Sequence, residues 1–162
     1  MENVPLIAVL VLLVMSIPLA ITDIKEHRLP NPLTYSAITL SAALVILAGA
    51  ITSRWLDLLF SLNLGAITFG IGYLMAHFNG IGMGDVKYLV ATNTLLGWFS
   101  PWLILPMLAI GFTLASIVSL GLIIARRANL KTPIAMGPFL MLGFFVVTLE
   151  LFEPVVTVAG GS

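Results

Sequence analysis

Residues 86–125 read VKYLVATNTLLGWFSPWLILPMLAIGFTLASIVSLGLIIA, an apolar run of about 40 residues. A helix crosses the hydrocarbon core of a bilayer in about 20 apolar residues, so this run is too long for one span. Gly97, Ser100 and Pro101 interrupt it. Proline lacks a backbone N–H and cannot continue a helix, which predicts a turn near Ser100-Pro101 and two spans, at 86–100 and 102–125. The first of the two is short, as suits a tilted helix or a locally thinned site.

Four further stretches have the length and apolarity of spans: 4–22, 33–52, 56–77 and 133–152. The expected fold is therefore all-α, a polytopic integral membrane protein of about six transmembrane helices, forming a single domain over residues 1–162. Composition agrees. The chain is 60% hydrophobic and 9% charged, where a soluble domain carries about 25% charged residues. Its mean hydropathy is +1.14. So little polar surface cannot cover so much apolar surface in water, and the lipid bilayer is the expected surrounding. The first apolar run follows Met1, Glu2 and Asn3 without a basic residue, and Asp23 and Lys25 come directly after it. It reads as a retained helix rather than a cleaved signal.

A net charge of zero gives no electrostatic footprint for nucleic acid. The absence of cysteine excludes disulfides, thiol catalysis and cysteine-bound zinc. His27 and His77 are isolated, and with the aspartates they have no metal-ligand spacing. No metal and no cofactor are expected. The two histidines read as a solvated loop residue and an interfacial one.

Basic residues set the orientation. Lys25 and Arg28 follow the first span, Lys87 adjoins the third connection, and Arg126, Arg127 and Lys131 follow the fifth. With six alternating spans these fall on one side and Arg54 on the other. That side is expected to be cytoplasmic, with both termini outside. Glu2, Asp57, Glu150 and Glu153 then fall outside, and Trp55, Trp98 and Trp102 lie near the outer face as interfacial aromatics. The longest non-apolar stretches, 23–32, 78–87 and 126–133, are all cytoplasmic, so chemistry is expected there.

Asp23 closes the first span and Asp85 opens the fourth, at matched depth on that face. A carboxylate at the membrane edge is costly against lipid and persists where it faces protein, water or a partner. Two facing carboxylates cannot both ionise easily, and one protonated beside one ionised acid is the arrangement that activates water in aspartic proteases. Each acid alone has a plainer reading as a polar helix end, and Asp85 would also serve as a helix cap. Glu26 reads as solvent-exposed. Lys87 would either lower the pKa of Asp85 or snorkel to lipid headgroups. Before Asp85 stand Gly80, Gly82 and Gly84 at alternate positions, which allow positive φ and close backbone approach. Alone, such glycines would equally suit a flexible loop or close helix packing.

Gly82-Met83-Gly84-Asp85 followed by Lys87 resembles the glycine-x-glycine-aspartate signature of type IV prepilin peptidases. Asp23-Ile24-Lys25-Glu26-His27-Arg28-Leu29-Pro30-Asn31 is similar to that family's first motif. Thr132-Pro133-Ile134-Ala135-Met136-Gly137-Pro138-Phe139-Leu140 resembles its stretch before the last helix, with Ala135 and Met136 where proline and phenylalanine are common. As a plain alternative, Pro133 and Pro138 would merely start the sixth helix. The resemblance spans essentially the whole chain. It implies a membrane aspartyl endopeptidase with Asp23 and Asp85 catalytic, Gly82, Gly84 and Lys87 supporting them, and Gly137 and Pro138 in an active-site loop. It implies a prepilin-like partner whose basic leader is removed at the cytoplasmic face of a bacterial or archaeal inner membrane, in type IV pilus assembly or protein secretion. Lacking paired cysteines and a large first loop, the chain resembles the short form without methyltransferase activity. The alternative from another class is a small proton-coupled transporter or channel with paired acids. The span middles carry few polar groups for such a path, Asn63 and Asn93 being the main ones. A non-catalytic assembly subunit is a third reading.

Overall fold

The computed structural model describes residues 4–26, 29–78, 81–127 and 135–159, with side chains through 152. Six α-helices follow in order: α1 Val4–Glu26, α2 Asn31–Thr52, α3 Trp55–His77, α4 Met83–Phe99, α5 Ile104–Ile124 and α6 Gly137–Ala159. The break expected at Ser100-Pro101 is real. Ser100 is extended, at φ −165° and ψ 129°, and Pro101 opens a single 3-10 turn, Pro101–Leu103, ahead of α5. Pro30 is likewise extended, and Pro32 sits in the first turn of α2, where a missing N–H costs nothing. Ser53 closes α2 in the left-handed region, at φ 56°.

Three boundaries differ from expectation. α1 runs on to Glu26, so Asp23 stands inside its last turn. α4 begins at Met83, which puts Asp85 inside its first turn. α6 begins at Gly137 rather than near 133. Lys131, Thr132, Pro133 and Ile134 lie outside the described residues, as do His27, Arg28, Gly80, Glu2 and the side chain of Glu153.

Four helical stretches are long and apolar enough to cross a membrane: Val4–Glu26, Asn31–Thr52, Trp55–His77 and Pro101–Ile124, with Gly137–Phe152 a shorter apolar helix. α4, at 17 residues, falls short of that length. Its surroundings explain this. Every residue from Val86 to Trp98 is buried, so α4 is the helix that the others enclose. It packs most extensively on α3 and α2 and also touches α1 and α6, while α5 packs on α6. Shielded from lipid by its neighbours, α4 can carry Thr92, Asn93 and Thr94 in its middle. The Thr92 hydroxyl turns back to the Tyr88 and Leu89 carbonyls of its own helix, and two further contacts cross to α3. Ser61 donates to the Thr94 carbonyl, and Asn93 Nδ2 donates to Thr68 Oγ1 at 3.0 Å. Gly72 lets α4 approach α3, since a Cβ there would lie 2.5 Å from Val86 Cγ1. Asn63, by contrast, donates to its own helix at the Leu59 carbonyl.

The three tryptophans do not behave alike. Trp55 and Trp102 are exposed, as interfacial aromatics are, but Trp98 is buried. Arg54 covers its ring at 5.2 Å from the centroid and also pairs with Asp57. α4 ends inside the bundle, and that takes Trp98 away from the lipid boundary.

Candidate active site

The C-terminal turn of α1 and the first turns of α2, α4 and α6 converge at one end of the bundle. The first three of these and the α1–α2 connection line a cavity of about 450 Å³ whose lining includes Asp23, Glu26, Leu29, Asn31, Gly84 and Asp85. Residues separated by about 60 positions in sequence thus share one solvent-accessible space. Asp85 lies close enough to Asp23 for their charges to interact.

Asp23 is buried, and its Oδ2 accepts a hydrogen bond from the Gly137 N–H at 3.0 Å. Gly137 is the first residue of α6, where the N–H has no acceptor within the helix. The Asp23 carboxylate supplies that acceptor and faces the positive end of the helix dipole. Space is tight: a Cβ on Gly137 would lie 2.7 Å from Asp23 Oδ2. Position 137 therefore serves the site through its backbone and through having no side chain. Pro138, the next residue, does not line the cavity and instead borders an apolar groove between α1 and α6. Met136 lies against α5.

Deeper in the bundle than the cavity, a buried hydrogen bond ties α1 to α4. Ser16 Oγ gives its proton to the Leu12 carbonyl at 2.8 Å, so the Tyr88 hydroxyl is the donor in the 2.9 Å Tyr88–Ser16 contact. Ser16 is two turns before Asp23, and Tyr88 is one turn after Asp85. The tie fixes the register of the two helices that carry the acids.

Asp85 does not cap α4. The N-cap is Gly82, at φ −69° and ψ 137°, with no side-chain cap. Among the described residues no glycine has positive φ, so Gly82 and Gly84 are not used for that freedom. Close approach is their reason. A Cβ on Gly84 would lie 2.7 Å from Leu29 Cβ, and one on Gly82 would lie 3.0 Å from Asp85 Oδ2.

Lys87 takes neither role expected of it. It is buried rather than reaching for headgroups, its Nζ donates to Asn31 Oδ1 at 2.6 Å, and it stands 4.3 Å from the centroid of the Tyr35 ring. Two positions along a helix turn a side chain to the far side, so Lys87 points at α2 while Asp85 meets the cavity. It fastens the Asn31 wall to α4. Glu26 is exposed, as its sequence position suggests, and its place at the site is what the sequence reading lacked. It lines the same cavity as both aspartates. The signal was available, because Asp23 and Glu26 are one helical turn apart, but only once α1 was known to continue past Asp23. His77 lies outside the cavity lining, edge-on to Phe78 at 5.5 Å between ring centroids. Among the described residues no cluster of histidines and carboxylates could hold a metal.

Comparison with known proteins places this arrangement. Residues 10–125 match the model of the type IV leader peptidase family. The chain is 32% identical over 144 residues to the leader peptidase HopD of Escherichia coli, covering 82% of this chain and 86% of that protein. No solved structure matches. The family match contains Asp23 and Asp85 and ends before Gly137.

Proposed function

Because this chain belongs to the type IV leader peptidase family, whose members are membrane aspartic endopeptidases, we propose that Asp23 and Asp85 are its catalytic pair. The observation that carries the reading is their meeting in one cavity from α1 and α4. A water between them attacks the scissile carbonyl. The ionised aspartate takes a proton from that water, while the protonated one polarises the carbonyl oxygen. The tetrahedral intermediate collapses with cleavage of the C–N bond, and the proton passes to the departing amine. The two acids titrate as a unit, and the roles belong to the pair. Gly137 orients the Asp23 carboxylate, Gly82 and Gly84 leave room for the Asp85 side chain and the α1–α2 connection, and Lys87 holds the Asn31 wall.

The substrate of this reading is a prepilin-like protein with a short basic leader followed by an apolar helix. Three carboxylates at the cavity, Asp23, Glu26 and Asp85, suit a basic leader. The site faces the cytoplasm in this reading, with both termini outside. Support comes from Lys25, Arg126 and Arg127 at or beyond the helix ends on the cavity side, against Arg54 at the other. The test uses membranes containing the enzyme and a prepilin-like probe with such a leader, followed by mass spectrometry. Asp23→Asn and Asp85→Asn are each expected to abolish release of the leader at normal protein levels. Retained cleavage in either variant contradicts the pair.

A further inference from the structure

We infer that the apolar groove between α1 and α6 is the docking site for the substrate's apolar helix. The inference rests on the proposed cleavage of a membrane-anchored, prepilin-like protein. Such a substrate cannot leave the bilayer, so its helix must reach the acids along a lipid-facing surface. The groove, of about 480 Å³, is lined by Leu13, Ile17 and Ala20 of α1 and by Pro138, Met141 and Phe145 of α6 among others.

Continuity with the catalytic cavity distinguishes it. On α1, Leu13, Ile17 and Ala20 follow helical spacing along the open wall of the groove, and its buried wall, Ser16, stands two turns before Asp23 on the same helix face. At 1.5 Å per residue, Ala20 lies about 5 Å and Leu13 about 15 Å below Asp23 along the axis. On α6, Pro138 follows directly on Gly137, whose N–H holds the Asp23 carboxylate. One end of the groove is therefore built from the residues adjoining Asp23 on both helices. Two other apolar hollows have similar volumes, about 390 and 410 Å³, but neither shares a helix with Asp23. The hollow on α3 opens beside Gly97 and Pro101, at the opposite end of α4 from Asp85. The walls of the α1–α6 groove are open, with Ile17 61% and Phe145 46% exposed. A helix seated there would bring the peptide just before its first turn to Asp23. The rest of the substrate helix would remain in lipid.

The chain has no cysteine, which makes the test direct. Ile17→Cys and Phe145→Cys are each expressed with a prepilin-like probe carrying single cysteines along its apolar helix. Ile117→Cys, equally exposed on α5, serves as the control. Disulfides require Cβ atoms about 4 Å apart, so oxidation reports seating rather than proximity in the membrane. Cross-links are expected at 17 and 145, at probe positions spaced by three or four, and at least about tenfold weaker at 117. Leader release by the cysteine-free enzyme is followed on the same probe. Cleavage without cross-links at 17 and 145, or with equal cross-linking at 117, overturns the groove and leaves the peptidase reading standing. Absence of cleavage by the cysteine-free enzyme removes both.

Discussion

Asp23 is held by a backbone group, and this makes Gly137 the most informative single position. Its Cβ-bearing variants meet the far end of the Asp23 side chain rather than backbone. Gly137→Ala is therefore expected to lower kcat by about tenfold to 100-fold while the thermal midpoint moves little, as measured by initial rates and a melt on the same preparation. An equal loss of both would mean that position 137 is only structural. The acids themselves predict the pH dependence. Below the optimum the base of the pair becomes protonated, and above it the acid loses its proton, so kcat/KM traces a bell. Replacing either aspartate by asparagine should remove the bell from any residual rate. Glu26→Gln leaves the pair intact, and its effect belongs to the basic leader. It is expected to raise KM for a Lys/Arg-bearing probe by a few-fold, less at high salt because the contact is exposed and screened.

Helix packing carries a second set of consequences. The Tyr88–Ser16 hydrogen bond joins the two helices that bear the acids, and Tyr88→Phe removes it without leaving a cavity. The expected cost is about 1 kcal/mol in unfolding free energy. Gly143 sits where α6 crosses α5, and a Cβ there would overlap the Met107 carbonyl oxygen. Backbone cannot yield as a side chain does, so Gly143→Ala should cost about 1–3 kcal/mol, seen as a lowered thermal midpoint. These contacts also mark what the sequence could and could not reveal. All six helices were legible, because a run such as 86–125 admits no other division and proline stops a helix visibly. Asp23 and Asp85 were legible as acids at helix ends on one side. The enclosure of α4 was not, since hydropathy reports apolarity and does not distinguish lipid from protein as the neighbour. Trp98 was misplaced for the same reason. The Gly137 contact had no side-chain signal at all, and Lys87 was read against Asp85 or the headgroups when its hydrogen-bond partner, Asn31, lies 56 positions away.

At the level of the whole molecule, the fold is a set of lipid-facing helices around one short, polar-bearing helix that reaches the site from within. The proposed topology rests on where the basic residues fall. With single cysteines introduced into the cysteine-free chain, a membrane-impermeant maleimide on intact cells should label Ser53→Cys and leave Arg126→Cys unlabelled. The reverse pattern would contradict the proposed cytoplasmic placement of the site. The central claim is that α1 and α4, distant in sequence, deliver two carboxylates that act as one catalytic unit. A double-mutant cycle measures this directly, with kcat/KM for leader release determined for Asp23→Asn, Asp85→Asn and the double variant. Each single replacement is expected to lose about 100- to 10,000-fold, and the double replacement no more than the worse single, because groups acting as a unit are non-additive. Losses that multiply in the double variant, or a single variant that retains its rate, would contradict it.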